Sequence, residues 1–295
     1  MDFKYSITLS SFRNIEAIEK TLERLVYQGY DAVEMYGEPD KLDVRTVREI
    51  FSCFDIAVCG ITGMWGTSAH DEAHKRKLLS YNQDILKYSK KYVKQCIKLC
   101  HELGGRELNL CLFADDDLVA FDRNHTILHD IKKTQIIQNL LLPILYDLTR
   151  FAEDYDIMLL LEPLNRYSTP YCTTAKDAIA IARQVNHNNF GILLDTFHMN
   201  IEEDSLEQAI LTSAKFLGHT HFADNNRKMP GYAHIDFMPI LESLSRIKYN
   251  GYISFEPILN NEALTSTKQG LNYIKSLARN KKHIEAKHDK NSMYK

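Results

Sequence analysis

Short strand-like runs and helix-period segments alternate eight times along these 295 residues, and that alternation leaves few folds open. The strand-like runs cover residues 5–9, 31–35, 56–62, 107–112, 159–162, 191–195, 216–222 and 252–257. Helical spacing fills the gaps. A first helix is predicted over 14–28, closed by Gly29, and a short one carries Val44, Val47, Ile50 and Phe51. A long one shows Ile85, Tyr92, Val93, Cys96, Ile97, Cys100 and Leu103 before Gly104 and Gly105. Residues 136–151 read as helix with a kink at Pro143. Thr174 with Asp177, and Ser205 with Gln208, look like capping boxes that open two more helices, and a closing helix is expected over 264–278. No linker rich in Pro, Gly or Ser interrupts the rhythm. The pattern therefore predicts one domain over 1–278, of the α/β class, folded as a (β/α)8 TIM barrel. Residues 279–295 hold six Lys or Arg against Glu285 and Asp289 and are expected to form a basic, mobile tail.

Composition narrows the function. A net charge of −3 speaks against nucleic-acid binding by bulk electrostatics. No apolar run approaches the ~18 residues of a membrane helix, and Met1-Asp2-Phe3-Lys4 does not open a signal peptide, so a cytoplasmic protein is expected. The six cysteines lack metal-type spacing and read as reduced core thiols.

The chemistry concentrates at strand ends. Leu159-Leu160-Leu161 runs into Glu162 and then Pro163, which holds Glu162 extended and stops the strand. Asp195, His221 and Glu256 end the next three strands in the same way, and Glu256 is again followed by proline. The gaps of 33, 26 and 35 residues are each one βα unit. In a parallel barrel, consecutive strands would therefore deliver these four groups to one ring on the C-terminal face. Any one of them reads as an ordinary polar strand end; four in register point to a site. Three carboxylates and one imidazole suit one divalent ion, Mn²⁺ first, with Mg²⁺, Co²⁺ or Zn²⁺ as alternatives. His219 would lie deeper on the same side, as a supporting or core histidine. Glu34, at the end of the second strand, is either a further site carboxylate or a rim ion-pair partner. The triplet Asp115, Asp116 and Asp117 reads as a solvated loop.

These motifs carry a resemblance. Glu162-Pro163-Leu164-Asn165-Arg166-Tyr167, then Leu194-Asp195-Thr196-Phe197-His198-Met199-Asn200, then His219-x-His221-x-x-Asp224-x-x-Arg227-x-x-Pro230-Gly231, then Phe255-Glu256-Pro257, resemble the sugar isomerase/epimerase superfamily of xylose-isomerase-like barrels. Within it the pattern is nearest to the ketose 3-epimerase (tagatose/psicose 3-epimerase) group, and the likeness is densest over residues 158–258. The resemblance implies that Glu162, Asp195, His221 and Glu256 hold the metal and that Glu162 and Glu256 form the acid/base pair. It also implies that His198 and Arg227 hold substrate hydroxyls; Ser168 and Trp65 are further candidate substrate-binding positions. Two departures stand out. The epimerases carry a second glutamate where this chain has Ser168, and their Pro-Gly-x-Gly loop here reads Pro230-Gly231-Tyr232-Ala233.

The residue types fit proton transfer α to a carbonyl through a metal-stabilised enediolate, on an unphosphorylated keto-sugar or keto-polyol. Return of the proton to the same carbon gives an epimerase, and return to its neighbour an aldose–ketose isomerase. The rival readings are an endonuclease IV-like nuclease or lyase, which the acidic barrel disfavours, and a catalytically silent metal- or sugar-binding barrel. The expected partner is a small sugar or polyol, with no nucleic acid and no membrane; self-association as a dimer or tetramer is compatible with the sequence.

Overall fold

The computed structural model describes residues 3–66, 72–120, 127–259 and 265–292. Eight strands, β1 (Lys4–Thr8), β2 (Ala32–Gly37), β3 (Ala57–Gly63), β4 (Glu107–Cys111), β5 (Met158–Glu162), β6 (Phe190–Asp195), β7 (Leu217–Phe222) and β8 (Tyr252–Phe255), pair in sequence order. All pairs are parallel, and β8 returns to β1, so the sheet closes into a barrel. The helices are α1 (Ile18–Gln28), α2 (Val44–Phe51), α3 (Gln83–Glu102), α4 (Asp116–Ala120), α5 (Ile127–Ile136), α6 (Leu142–Glu153), α7 (Ala175–Val185), α8 (Thr196–Glu202), α9 (Leu206–Ser213), α10 (Phe237–Arg246) and α11 (Ser266–Ser292). The fold is the expected (β/α)8 TIM barrel, with α4, α5 and α8 added on the C-terminal side of the strands. No described helix is long and apolar enough to cross a membrane.

Local chemistry sets the element ends. Thr174 and Asp177 make a reciprocal capping box on α7. Ser205 caps α9 by accepting from the Gln208 N–H, but its hydroxyl then turns to Glu207, so the box is half of that expected. Gly29 ends α1 in the left-handed region, at φ 85°, where a side chain would be strained. Three expectations change. The kink at Pro143 is a π-helical turn, Ile137–Leu141, directly before α6: proline cannot donate the usual N–H, and the chain absorbs the loss in a wider turn. Cys53 is exposed, so five of the six thiols are buried, not all six. The closing helix continues to Ser292, through residues set apart as a tail.

Side-chain alternation along the strands decides where the chemistry sits. Leu159, Leu161, Ile192, Leu194, Leu108 and Leu110 join the large apolar cluster between sheet and helices. The intervening positions face the barrel interior, which is unusually polar: Glu34, Asn109, Glu162, Asp195, His219, His221 and Ser254 are all buried. A buried polar group is tolerated only when it is paired.

Candidate active site and metal centre

Glu162, Asp195, His221 and Glu256 meet at the C-terminal end of the barrel. Each offers a ligand atom within 4.8 Å of the others. Register explains this: Asp195 pairs directly with His221 across β6 and β7, and His221 pairs with Ser254, two residues before Glu256. Arg227, from the loop after β7, bridges Asp195 Oδ2 and Glu256 Oε2 through its two terminal nitrogens and lies 4.8 Å from the Phe197 ring centre. Its backbone is left-handed, with φ 59°. Asp224 holds that loop: its buried carboxylate accepts backbone N–H bonds from Asn225, Gly231, Ala233 and Ile235.

The charge balance separates the carboxyl groups. Burial pushes Glu256 up, but Arg227 and His221 outweigh it and bring the carboxyl down to about 2. Burial likewise opposes ionisation of Glu162, yet the adjacent His221 leaves it below the usual carboxylate range. Asp195 is the exception: burial dominates the pull of Arg227 and raises it.

His221 bears directly on whether a metal fits. Its Nε2 faces Glu34 at 3.1 Å, while its Nδ1 is buried without a hydrogen bond. That Nδ1 looks into the cluster, 3.1 Å from Glu256 Oε2 and 3.8 Å from Glu162 Oε1. Glu34 holds Nε2, and the carboxylates around the ring hold this buried imidazole charged, above its ordinary range; a divalent ion would take the place of the Nδ1 proton that faces the three acidic groups. The donor set fits a divalent ion. Glu34, His219 and His221 also approach one another as a second possible ligand group. Glu34 there already faces both Nε2 atoms and accepts from Thr62 Oγ1 and Ser254 Oγ, so hydrogen bonding accounts for that group without an ion. Glu34 is thus a support beneath His221, neither a rim partner nor a ligand of the upper cluster. His219 is its companion, with Nδ1 2.6 Å from Glu107 Oε2.

The matched profile is that of the xylose isomerase-like TIM barrel and spans residues 22–277. The chain belongs to that family. D-psicose 3-epimerase of Ruminiclostridium cellulolyticum is 30% identical over 243 residues, covering 81% of this chain and 77% of the relative. L-ribulose 3-epimerase of Methylomonas sp. is 36% identical over 229 residues, covering 77% and 74%. Among solved structures, a D-allulose 3-epimerase from Methylomonas sp. superposes with a TM-score of 0.78 at 20% identity, over 94% of this chain and 100% of that one. The structural likeness fixes the fold; the sequence matches make this xylose isomerase-like barrel an enzyme of the isomerase and epimerase type.

The remaining expected site residues of this family member are placed as follows. His198, on α8 directly after Asp195, accepts at Nδ1 from both the backbone N–H and the side-chain amide of Asn165, each at 3.0 Å. Two donors on Nδ1 put the ring proton on Nε2. Ser168 lies in the turn after β5, with its hydroxyl 3.5 Å from Asn165 Oδ1, so Asn165 links it to His198. Trp65 follows β3, donates from Nε1 to the Asn109 carbonyl at 3.3 Å and stands edge-on to Tyr92. A cavity of about 290 Å³ opens on Arg227 and Glu256 and is walled by Ser10, Ser11, Arg13, Ile258 and Leu259. A larger one, of about 700 Å³, lies at the opposite mouth of the barrel, away from this chemistry. Sequence reasoning missed Asn109, Cys111 and Asn165. The first two touch Glu162, and their one visible signal was a polar residue and a thiol in alternate positions of a strand.

Proposed function

We propose that this enzyme is a divalent-metal-dependent sugar epimerase that inverts a carbon next to the carbonyl of an unphosphorylated keto-sugar or keto-polyol. The observation that carries the reading is the meeting of Glu162, Asp195, His221 and Glu256 at the C-terminal mouth, with the buried Nδ1 of His221 turned toward the carboxylates. The matches to a D-psicose 3-epimerase and an L-ribulose 3-epimerase, over 77% and 74% of those relatives, support it. A bound ion, Mn²⁺ by preference for this oxygen-rich set, would be held by those four residues and supply positive charge where the carbonyl oxygen becomes an oxyanion.

The chain's own residues supply the proton chemistry. Glu162 and Glu256 rest as carboxylates, so either can remove the C–H proton from its side of the substrate. The pair of electrons left behind forms the enediolate, and a proton returned from the other carboxyl group to the opposite face inverts the centre. Both groups start as carboxylates, so the proton taken by one crosses to the other before it is returned. Their ligand oxygens lie within 4.8 Å, so a substrate hydroxyl or one water can carry that proton from one to the other. The Nε2–H of His198 and the Arg227 guanidinium are donors for substrate oxygens. Ser168 favours a substrate that is bulkier or differently oxidised near the reacting carbon than a free ketohexose. Its side chain is short and neutral where the resembled epimerases carry a glutamate.

The test is a screen of free ketoses, phosphorylated ketoses and inososes for exchange of a carbon-bound hydrogen with solvent deuterium, with Mn²⁺ and after chelation. Exchange on an unphosphorylated substrate that stops on chelation is expected. No exchange on any of them, or exchange indifferent to the chelator, refutes the reading.

A further inference from the structure

Asn109, in the middle of β4 and 4% exposed, makes directed contacts on both ends of its amide. Its Oδ1 accepts from the backbone N–H of Gly63. A backbone N–H can only donate, so this contact fixes which end of the amide is oxygen. The nitrogen then points at Glu162, and Nδ2 donates to Oε2 at 2.7 Å. The Cys111 thiol, two residues along the same strand, lies 3.4 Å from the same oxygen as a second donor. The other oxygen, Oε1, faces Nδ1 of His221 at 3.8 Å.

The two oxygens of Glu162 therefore have different surroundings. One is tied to β4 and the other is turned into the ligand cluster. The last torsion of a glutamate is broad, and an untied carboxylate would offer either oxygen, or both, to an ion. Strand register makes the tie rigid, because Cys111 pairs directly with Glu162 and Asn109 with Leu160. Gly63 and Trp65, which both bond to Asn109, hold it from the other side.

We propose that Asn109 is a positioning residue that holds Glu162 by Oε2 and so presents Oε1 alone to the metal. The inference rests on the reading of Glu162, Asp195, His221 and Glu256 as a metal site. It predicts an effect on metal affinity that passes through Glu162 and needs no substrate. The experiment titrates Mn²⁺ into chelator-stripped protein by calorimetry, for wild type, Asn109→Leu, Glu162→Ala and the double variant. Partners that orient a metal ligand are worth about 10–100-fold in affinity, so Asn109→Leu should weaken Mn²⁺ binding by that factor. With Glu162 absent there is nothing left to position, and the same substitution should change affinity by less than about 2-fold. An equal loss in both backgrounds, or unchanged affinity in a folded Asn109→Leu protein, overturns the inference while leaving the metal site standing. If Asn109→Leu does not fold, Asn109→Ser, which also cannot reach Glu162, takes its place in the same comparison. Wild type that binds no Mn²⁺ removes the metal reading itself, and this inference with it.

Discussion

Glu34→Gln changes one charge and almost no volume, and it strikes the support under the site. Glu34 is buried, with His219 and His221 facing it at 3.1 Å, and accepts hydrogen bonds from Thr62 at 2.9 Å and from Ser254. Burial works against its ionisation, but the two imidazoles overcome that and hold it well below the usual carboxylate range. The reciprocal effect falls on His219: burial lowers it, the carboxylates of Glu107 and Glu34 raise it, and the net result is about 9 against an ordinary value of 6.5. At about 1.4 kcal/mol per unit, that shift is worth on the order of 3 kcal/mol of folding free energy. Because the folded value is raised, this stability is fully present below pH 6.5 and is lost as pH climbs through 9. Removing the charge of Glu34 leaves His219 with Glu107 alone. Breaking one partner of a buried ion pair costs roughly 3–5 kcal/mol, and the remaining carboxylates should keep the loss near the lower figure. Urea unfolding of chelator-treated protein at pH 6.5, 8 and 9.5 measures both effects. Wild type should weaken steadily across the series; the variant should start lower and lose less. A flat wild-type profile, or a variant as stable as wild type at pH 6.5, would refute the charge argument.

Asp195→Ala should abolish tight metal binding, read by elemental analysis of protein purified without chelator; normal metal content in that variant would remove Asp195 from the ligand set. Glu256→Gln should stop net epimerisation yet leave partial solvent exchange at the reacting carbon, since Glu162 can still remove and replace a proton on its own side; near-normal turnover on the true substrate would exclude two bases. Wild type should epimerise fructose, psicose and tagatose weakly or not at all beside its preferred substrate, because a hydrogen bond missing from a site built for it costs several powers of ten. Ser168→Glu is the comparison there, with metal content checked in both proteins. Robust wild-type turnover of these sugars that disappears in the Glu variant would show that Ser168 is no obstacle.

The barrel and the ring of four were legible because they depend on local signals repeated at one βα period. Pro163 marks the end of β5 to the residue, and Glu256-Pro257 repeats the mark directly after β8, which stops at Phe255 and not at the expected Pro257. What lay out of reach depends on register between strands. Nothing near Glu34 in sequence shows that it will sit between His219 and His221, 185 and 187 residues away. Asn109 meets Glu162 for the same reason, through the β4–β5 pairing. Asp195 illustrates a third limit. As a strand end it read as a ligand; the fold also makes it the N-cap of α8, accepting from the Phe197 N–H at 2.8 Å. That second role brings His198 to the site on a helix and not on a loop.

The support and the ring together explain why a barrel interior can be this polar and still fold. Five carboxylates, on Glu34, Glu107, Glu162, Asp195 and Glu256, face three basic groups, on His219, His221 and Arg227. The lower part is closed on itself, since Glu34 spends its acceptors on two imidazoles and two hydroxyls. The surplus negative charge therefore collects at the upper end, around the buried Nδ1 of His221. Uncompensated buried charge is costly, and hydrophobic replacement of these groups would be expected to make a more stable barrel. Stability gives no reason to leave three carboxylates facing one another at the mouth; binding a cation and moving a proton do.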